Sequence, residues 1–361
     1  MRAGHRRAHT LDTTRSLTAA GQAIQSIPAR NCKNMASLPV PEFVSWCSLV
    51  SAPAKTFSRN QDPYPTSLHR VILLLVGLVA TASKEHEMNQ QGQWQVAGSA
   101  PEVYERELVP AVFGAWAPIL VELAHPRAGD RVLDVACGTG IVARIAAAHA
   151  GPSGTVVGVD LNPGMLSVAR SVALTDSQSA APLKWQEASA DKLPFPSASF
   201  DVVYCQLGLQ FFADRPAAVR EMRRALGAGG RLALMVWRSI HESPGFAVLA
   251  EALERHVGQA AAAVMRAPFG LSNADELAAL VRDAGFQDVA IQQRVGTVRF
   301  PSVEKFVLSY VAGSPLAGPV SQANDSSRGA LIRDAQNTLG KYTSNTELAF
   351  PIAAHLLSAR V

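Results

Sequence analysis

The run VLDVACGTG at residues 132–140 constrains this chain most tightly. A short apolar stretch ends in Gly138 and Gly140, two residues apart. Glycine accepts backbone conformations that other residues avoid and lets a neighbour approach closely. The Ala-rich segment that follows, Gly140–His149, has helix-forming composition. The segment therefore reads as a buried strand, a tight turn and a helix, the opening of a βαβ unit. Gly138 to Ala143 also fits the spacing G-x-G-x-x-G/A, and Asp160 stands 20 residues beyond Gly140.

The rest of the chain extends that alternation. Pro101 to His125 reads as helix, interrupted near Pro110 and Pro118. Strands are expected at Arg131–Val135, Thr155–Asp160, Leu183–Glu187, Phe200–Gln206 and Arg231–Trp237. Asn162-Pro163 starts a helix that runs to about Leu174. Another covers Pro216–Leu226 and ends at the glycines of 227–230. Ser272 is expected to cap a helix to about Ala284, with Asp275 at the capping-box position. A sixth strand is expected at 288–298, helices at 302–312 and 327–340, and a last strand within Leu348–Arg360. Early strands that are apolar throughout, alternating with helices, point to a parallel sheet covered on both faces.

Charge separates the first 87 residues from the remainder. They hold ten Lys/Arg against five Asp/Glu, whereas 88–361 hold 23 against 24. Past residue 87 no basic field argues for nucleic acid. Residues 1–87 also lack periodicity. Three readings stay open: a mis-assigned extension ahead of a natural start at Met88, an Arg-rich transit peptide over 1–38 that would direct the chain to an organelle, or a disordered tail. Lys84-Glu85 can be encoded by a ribosome-binding sequence, which favours the first. The apolar run Val71–Ala80 is too short for the ~20 residues that span a bilayer. Cys32, Cys47, Cys137 and Cys205 show neither paired nor metal-ligand spacing. They read as free thiols in a reducing, cytoplasmic setting, with no metal site and no stable membrane insertion.

The glycine spacing alone also fits a dinucleotide site. Asp134 separates the alternatives. It lies at the end of the first strand, four residues before Gly138, where a carboxylate would repel a pyrophosphate and suit a ligand carrying an ammonium and a sulfonium. S-adenosylmethionine carries both. Asp134 can instead cap the turn, and both roles can hold together. Asp191, in ADKLPF at 190–195, follows the third strand at the same sheet edge, where it can accept from an adenine amino group. Asp201 begins a strand and reads as structural.

VLDVACGTG, GVDLNPGMLSVAR, ASADKLPFPSASFDVVYCQ and EMRRALGAGGRLAL together resemble the class I S-adenosylmethionine-dependent methyltransferases of the ubiquinone/menaquinone-biosynthesis, or type 11, group. The resemblance is strong over about 105–240 and weaker to the end. It implies a Rossmann-like, doubly wound α/β sheet of seven strands, mostly parallel with an antiparallel last strand, plus helical cap segments. The expected domain is 88–361, with a cofactor-binding core at about 105–240 and cap and C-terminal strands at about 241–361. The resemblance places Asp134, Ala136, Gly138 and Gly140 around the methionine part of S-adenosylmethionine and Asp160 on its ribose. It places Leu161 and Met165 near the adenine, Ala190 and Asp191 at the adenine edge, and Gln206 near the methionine end. Ala136 stands where many members have glycine, which matters if that backbone needs a positive φ.

Methyl transfer chiefly requires an acceptor atom aligned about 3–3.5 Å from the methyl group, and no catalytic triad is evident. Acceptor-side candidates are Tyr104 in the N-terminal helix, Gln210 and Phe211 after the fourth strand, and Trp237 and His241 after the fifth. His241 is the nearby imidazole, and Cys205 reads as buried and inert. Trp94, Phe113, Trp116, Phe246, Phe269, Phe306 and Tyr310 lie in segments expected around the cleft, pointing to a small apolar or aromatic acceptor. The same residues would be core in any helical cap. A nicotinamide-dependent oxidoreductase and a non-catalytic cofactor-binding protein are the rival readings. Oligomeric state is open.

Overall fold

Seven strands form one sheet in the order β3-β2-β1-β4-β5-β7-β6. The computed structural model describes residues 95–172, 179–345 and 347–361, all within one unit, Gly77–Val361. The expectations for residues 1–87, including Cys32, Cys47 and Val71–Ala80, lie outside the described residues, as do those for Met88, Trp94 and Leu174.

The strands are β1 (Arg131–Val135), β2 (Thr155–Asp160), β3 (Leu183–Glu187), β4 (Phe200–Gln206), β5 (Leu226–Trp237), β6 (Gln287–Phe300) and β7 (Leu348–Arg360). β1 to β5 pair in parallel, and β7 runs antiparallel between β5 and β6. Helices α3 (Ile141–Ala150), α4 (Pro163–Ser171) and α5 (Arg215–Ala225) connect the parallel strands. Strand order reverses between β1 and β4, the kind of place where open α/β sheets hold ligands beyond the strands' C-terminal ends.

Two apolar layers explain why β1 and β4 carry hydrophobic residues on both of their faces. Val132, Val202 and Tyr204 join a core with α2 (Ala117–Leu123) and α3. Their neighbours Leu133, Val135, Val203 and Cys205 join a second core with α5 and α8 (Ala274–Asp283). Successive residues point to opposite faces, so a sheet covered on both sides needs apolar residues at both parities.

Local chemistry sets most boundaries. Asn162 caps α4 by accepting from Met165 N–H at 3.1 Å, and Asp214 caps α5 by accepting from Ala217 N–H at 2.7 Å. The expected cap of α8 shifts by one residue. Asn273, not Ser272, accepts from the N–H groups of Asp275 and Glu276, so Glu276 rather than Asp275 occupies the capping-box position. Residues 227–230 belong to β5, which begins at Leu226. Helices α6 (Pro244–His256), α7 (Gln259–Arg266) and α10 (Ala317–Gln322) were not read from the sequence; α9 (Val303–Ala312) and α11 (Asp325–Leu339) were.

The N-terminal helix is composite. A turn, α1 (Ala100–Val103), runs into a wider winding over Tyr104–Phe113 that contains Pro110. The bond from Gly114 N–H to the Val109 carbonyl, 2.6 Å, closes its end. Such π-type winding is rare and frequent at functional sites.

Candidate functional site

A cleft of about 680 Å³ opens at the C-terminal ends of β1, β2 and β4. Its walls include Tyr104, Ala136, Gly138, Asp160, Leu161, Met165, Ala190, Asp191, Gln206 and Gln210, ten of the residues singled out in the sequence. Asp134 and Gly140 stand behind the turn. His241 is exposed and is not among the lining residues.

The turn after β1 carries strain. Ala136 sits at φ +56°, Gly138 at +54° and Gly140 at +89°. Ala136 therefore occupies a glycine-favouring conformation, at a cost of roughly 1–2 kcal/mol. Leu207, after β4, has φ +59° and also lines the cleft. Strained residues of this kind persist where the surroundings over-determine them, commonly at ligand sites. A Cβ on Gly138 would meet nothing within 4 Å. A Cβ on Gly140 would collide with the indole of Trp185, which also lies within 2.5 Å of where a Cβ of Gly158 would stand. Trp185 was missed in the sequence because its contact crosses from β3 over β2 to the turn.

Two carboxylates hold this turn in place. Asp160 accepts from Gly138 N–H and from Asn162 N–H, each at 2.8 Å. Asp134 accepts from Ala143 N–H at 3.0 Å, capping α3 as the sequence allowed, while its Oδ1 is buried with no partner. Burial pushes the Asp134 carboxyl up to about 8 and also raises Asp160. Arg144 ties the turn to the N-terminal segment, donating to the Thr139 carbonyl at 2.5 Å and to Glu105 at 2.8 Å. Asn162 Nδ2 holds the same segment through Gln95 Oε1 and the Val96 carbonyl, both at 2.9 Å. Gln95 and Val96 both line the cleft.

The far wall follows β4. Gln206 Nε2 donates to the Phe113 carbonyl at 3.2 Å, which leaves its Oε1 buried and unpaired. Gln210 is buried with both amide atoms unpaired. Arg215, at the start of α5, donates to the Gln210 carbonyl at 2.9 Å and also lines the cleft. Tyr104 stacks on Phe113 with ring centroids 4.9 Å apart, and burial pushes its phenol well above the usual range.

The aromatic expectation needs correction. Phe113, Trp116, Phe246, Phe269, Phe306 and Tyr310 form part of the buried core, and none lines the cleft. Phe246 packs on Phe269, Phe306, Tyr310 and Phe350 at 5.1–5.7 Å. The aromatic rings on the walls belong to Tyr104, Phe211 and Phe212. Trp237, the other candidate after β5, is buried on Trp116. Cys137 and Cys205 are free and buried. Among the described residues no cluster could hold a metal ion, and no helix is long and apolar enough to cross a membrane.

Residues 133–234, from β1 to β5, match the model of a methyltransferase domain. Over those residues the chain is similar to a methyltransferase domain. The stretch matched also covers the strained turn, both bracing carboxylates and the two glutamines. The chain is 39% identical over 141 residues to the ubiquinone/menaquinone biosynthesis C-methyltransferase UbiE of Ectopseudomonas mendocina, covering 39% of this chain and 53% of that one. It is 42% identical over 120 residues to the UbiE of Pseudomonas putida strain F1, covering 33% and 46%. The chain thus spans about half the length of the curated relatives it matches. Among solved structures, the YcgJ protein of Bacillus subtilis aligns at 22% identity and a TM-score of 0.45, over 68% of this chain and 98% of that one.

Proposed function

We propose that the cleft binds S-adenosylmethionine and that the domain transfers its methyl group to a small acceptor, at carbon or oxygen. The charge of the walls carries this reading. Asp160, Asp191 and Asp214 line the cleft against Arg215, and Asp134 waits behind the turn with an unpaired oxygen. Such walls favour an ammonium and a sulfonium over a pyrophosphate. The N–H of Gly138, which a phosphate would need, is already given to Asp160.

The residues fit the donor in parts. Asp134, Ala136, Gly138 and Gly140 surround the methionine part, with Gln206 beside it. Asp160 receives the ribose; Leu161, Met165, Ala190 and Asp191 receive the adenine. When bound, the sulfonium supplies a methyl group whose carbon–sulfur bond breaks towards sulfur as the acceptor's electron pair forms the new bond. The chain's part is alignment and exclusion of water. Burial raises the Tyr104 phenol well above its usual range, so Tyr104 keeps its proton at neutral pH. The names of the UbiE relatives favour carbon as the acceptor atom.

A cytoplasmic setting suits the free thiols of Cys137 and Cys205. The near-neutral balance of residues 88–361, which we take as the domain, favours a small-molecule partner over nucleic acid. Thermal shift with S-adenosylhomocysteine and with NADH tests the reading. Stabilisation by S-adenosylhomocysteine is expected; stabilisation by NADH alone refutes it.

A further inference from the structure

Gln206 and Gln210 both line the cleft, and three of their four amide atoms are buried without a partner. A buried amide that bonds to nothing costs about 1–3 kcal/mol. Buried polar groups are otherwise nearly always paired. Gln206 is held in orientation by its bond to the Phe113 carbonyl, so its free Oε1 can only accept. Gln210 offers one donor and one acceptor, and its backbone is fixed by Arg215. The strained Leu207 sets the path of the chain between them.

We infer that these two glutamines select the methyl acceptor, and that the acceptor presents a neutral edge with one hydrogen-bond donor beside one acceptor. A hydroxyl next to a carbonyl has this pattern: the hydroxyl donates to a glutamine Oε1 and the carbonyl accepts from Gln210 Nε2. The inference rests on the methyl-transfer reading. A carboxylate would meet two amide oxygens with no free cation opposite. Arg215 is turned to the Gln210 carbonyl and stands 3.7 Å from Glu276. Phe211, Phe212 and Leu207 supply apolar wall for the body of the molecule.

The test uses the full chain saturated with S-adenosylhomocysteine and titrated calorimetrically with 2-hydroxyacetophenone, acetophenone, phenol and salicylate. The hydroxy ketone is expected to bind at least about tenfold tighter than each of the other three, because losing either group leaves a buried amide atom unpaired. In Gln210→Met that preference should collapse to about twofold. The variant keeps side-chain volume and removes the unpaired amide, so the melting temperature of the free protein should rise. Its affinity for S-adenosylhomocysteine should change by less than about twofold. If S-adenosylhomocysteine itself fails to bind, the methyl-transfer reading falls and this inference with it. If it binds but no probe does, or salicylate binds best, or the preference survives in Gln210→Met, this inference alone is overturned.

Discussion

At the lower end of the sheet, where β1, β4 and β5 start, charges are paired. Arg131 grips Asp201 through Nη2 at 2.8 Å and Nε at 3.0 Å. Arg231 holds Asp130 at 2.6 Å, and Asp130 also accepts from Arg127 N–H at 2.7 Å. At the upper end of the same strands, Ala136 and Leu207 hold positive φ, and Asp134, Gln206 and Gln210 keep unpaired buried atoms. One end is satisfied and the other is not. The same apolar strands support both, so the contrast lies in the residues that cap them. Unmet polar atoms persist at the upper end because the sheet and its helices stabilise them from below, whereas positive φ occurs at both ends, at His125 and Ala198 beside the lower one.

Substitutions at the two ends should therefore differ in kind. The largest effect is expected from Gly140→Val. A side chain there meets the Trp185 indole at φ +89°, and S-adenosylhomocysteine affinity should fall at least ~100-fold by calorimetry, more than the strain of one left-handed residue explains. Retained affinity would break the comparison.

Next comes pH. Asp134 is raised from its ordinary value to about 8 in the free protein. A cationic ligand prefers the ionised carboxylate, so affinity for S-adenosylmethionine should climb up to about tenfold per unit as pH rises towards 8 and level off above it. Asp134→Asn, which can still cap α3, should flatten that profile. The stability of the unliganded protein should move the opposite way. The unfolded chain loses this proton near pH 4 and the folded one near pH 8. The stabilisation from holding the proton is therefore full below about pH 4 and is lost as pH rises to 8. Denaturant melts across that range, compared with Asp134→Asn, check the sign.

Smaller effects sharpen the contrast. Ala136→Gly should relieve strain and raise stability by about 1 kcal/mol in urea melts. Arg131→Ala, at the satisfied end, breaks a partly exposed pair. It should cost about 0.5–1 kcal/mol and leave S-adenosylhomocysteine affinity unchanged.

Sequence reasoning read the strands well because apolar runs bounded by turn residues carry their own limits. Four of them, Arg131–Val135, Thr155–Asp160, Leu183–Glu187 and Phe200–Gln206, match to the residue, and β7 fills the whole of Leu348–Arg360, within which a last strand was expected. Helices α6 and α7 escaped. They bury Phe246, Leu249, Ala262 and Met265 within a core shared with distant C-terminal residues, which Ala-rich spacing does not reveal. The cleft residues near the glycine turn were legible because they follow it along the chain. Those that act across strands were not. Asp160 was expected to face a ribose, but its bond to Gly138 spans 22 positions and shows in no local pattern. Ala136 was flagged as a departure, and its positive φ gives that flag a physical meaning.

Trp185 ties three positions into one evolutionary unit. Its ring occupies the space that side chains at Gly140 and Gly158 would need. Gly158 has no left-handed backbone to defend, so the indole is the main obstacle to its replacement, with Cys137 Sγ a lesser one at 3.0 Å. A lineage can thus exchange that glycine for alanine only after the tryptophan has become smaller, and the reverse order passes through a damaged intermediate. Gly158→Ala should be harmful alone and nearly neutral beside Trp185→Leu, a coupling that a double-mutant cycle reads directly.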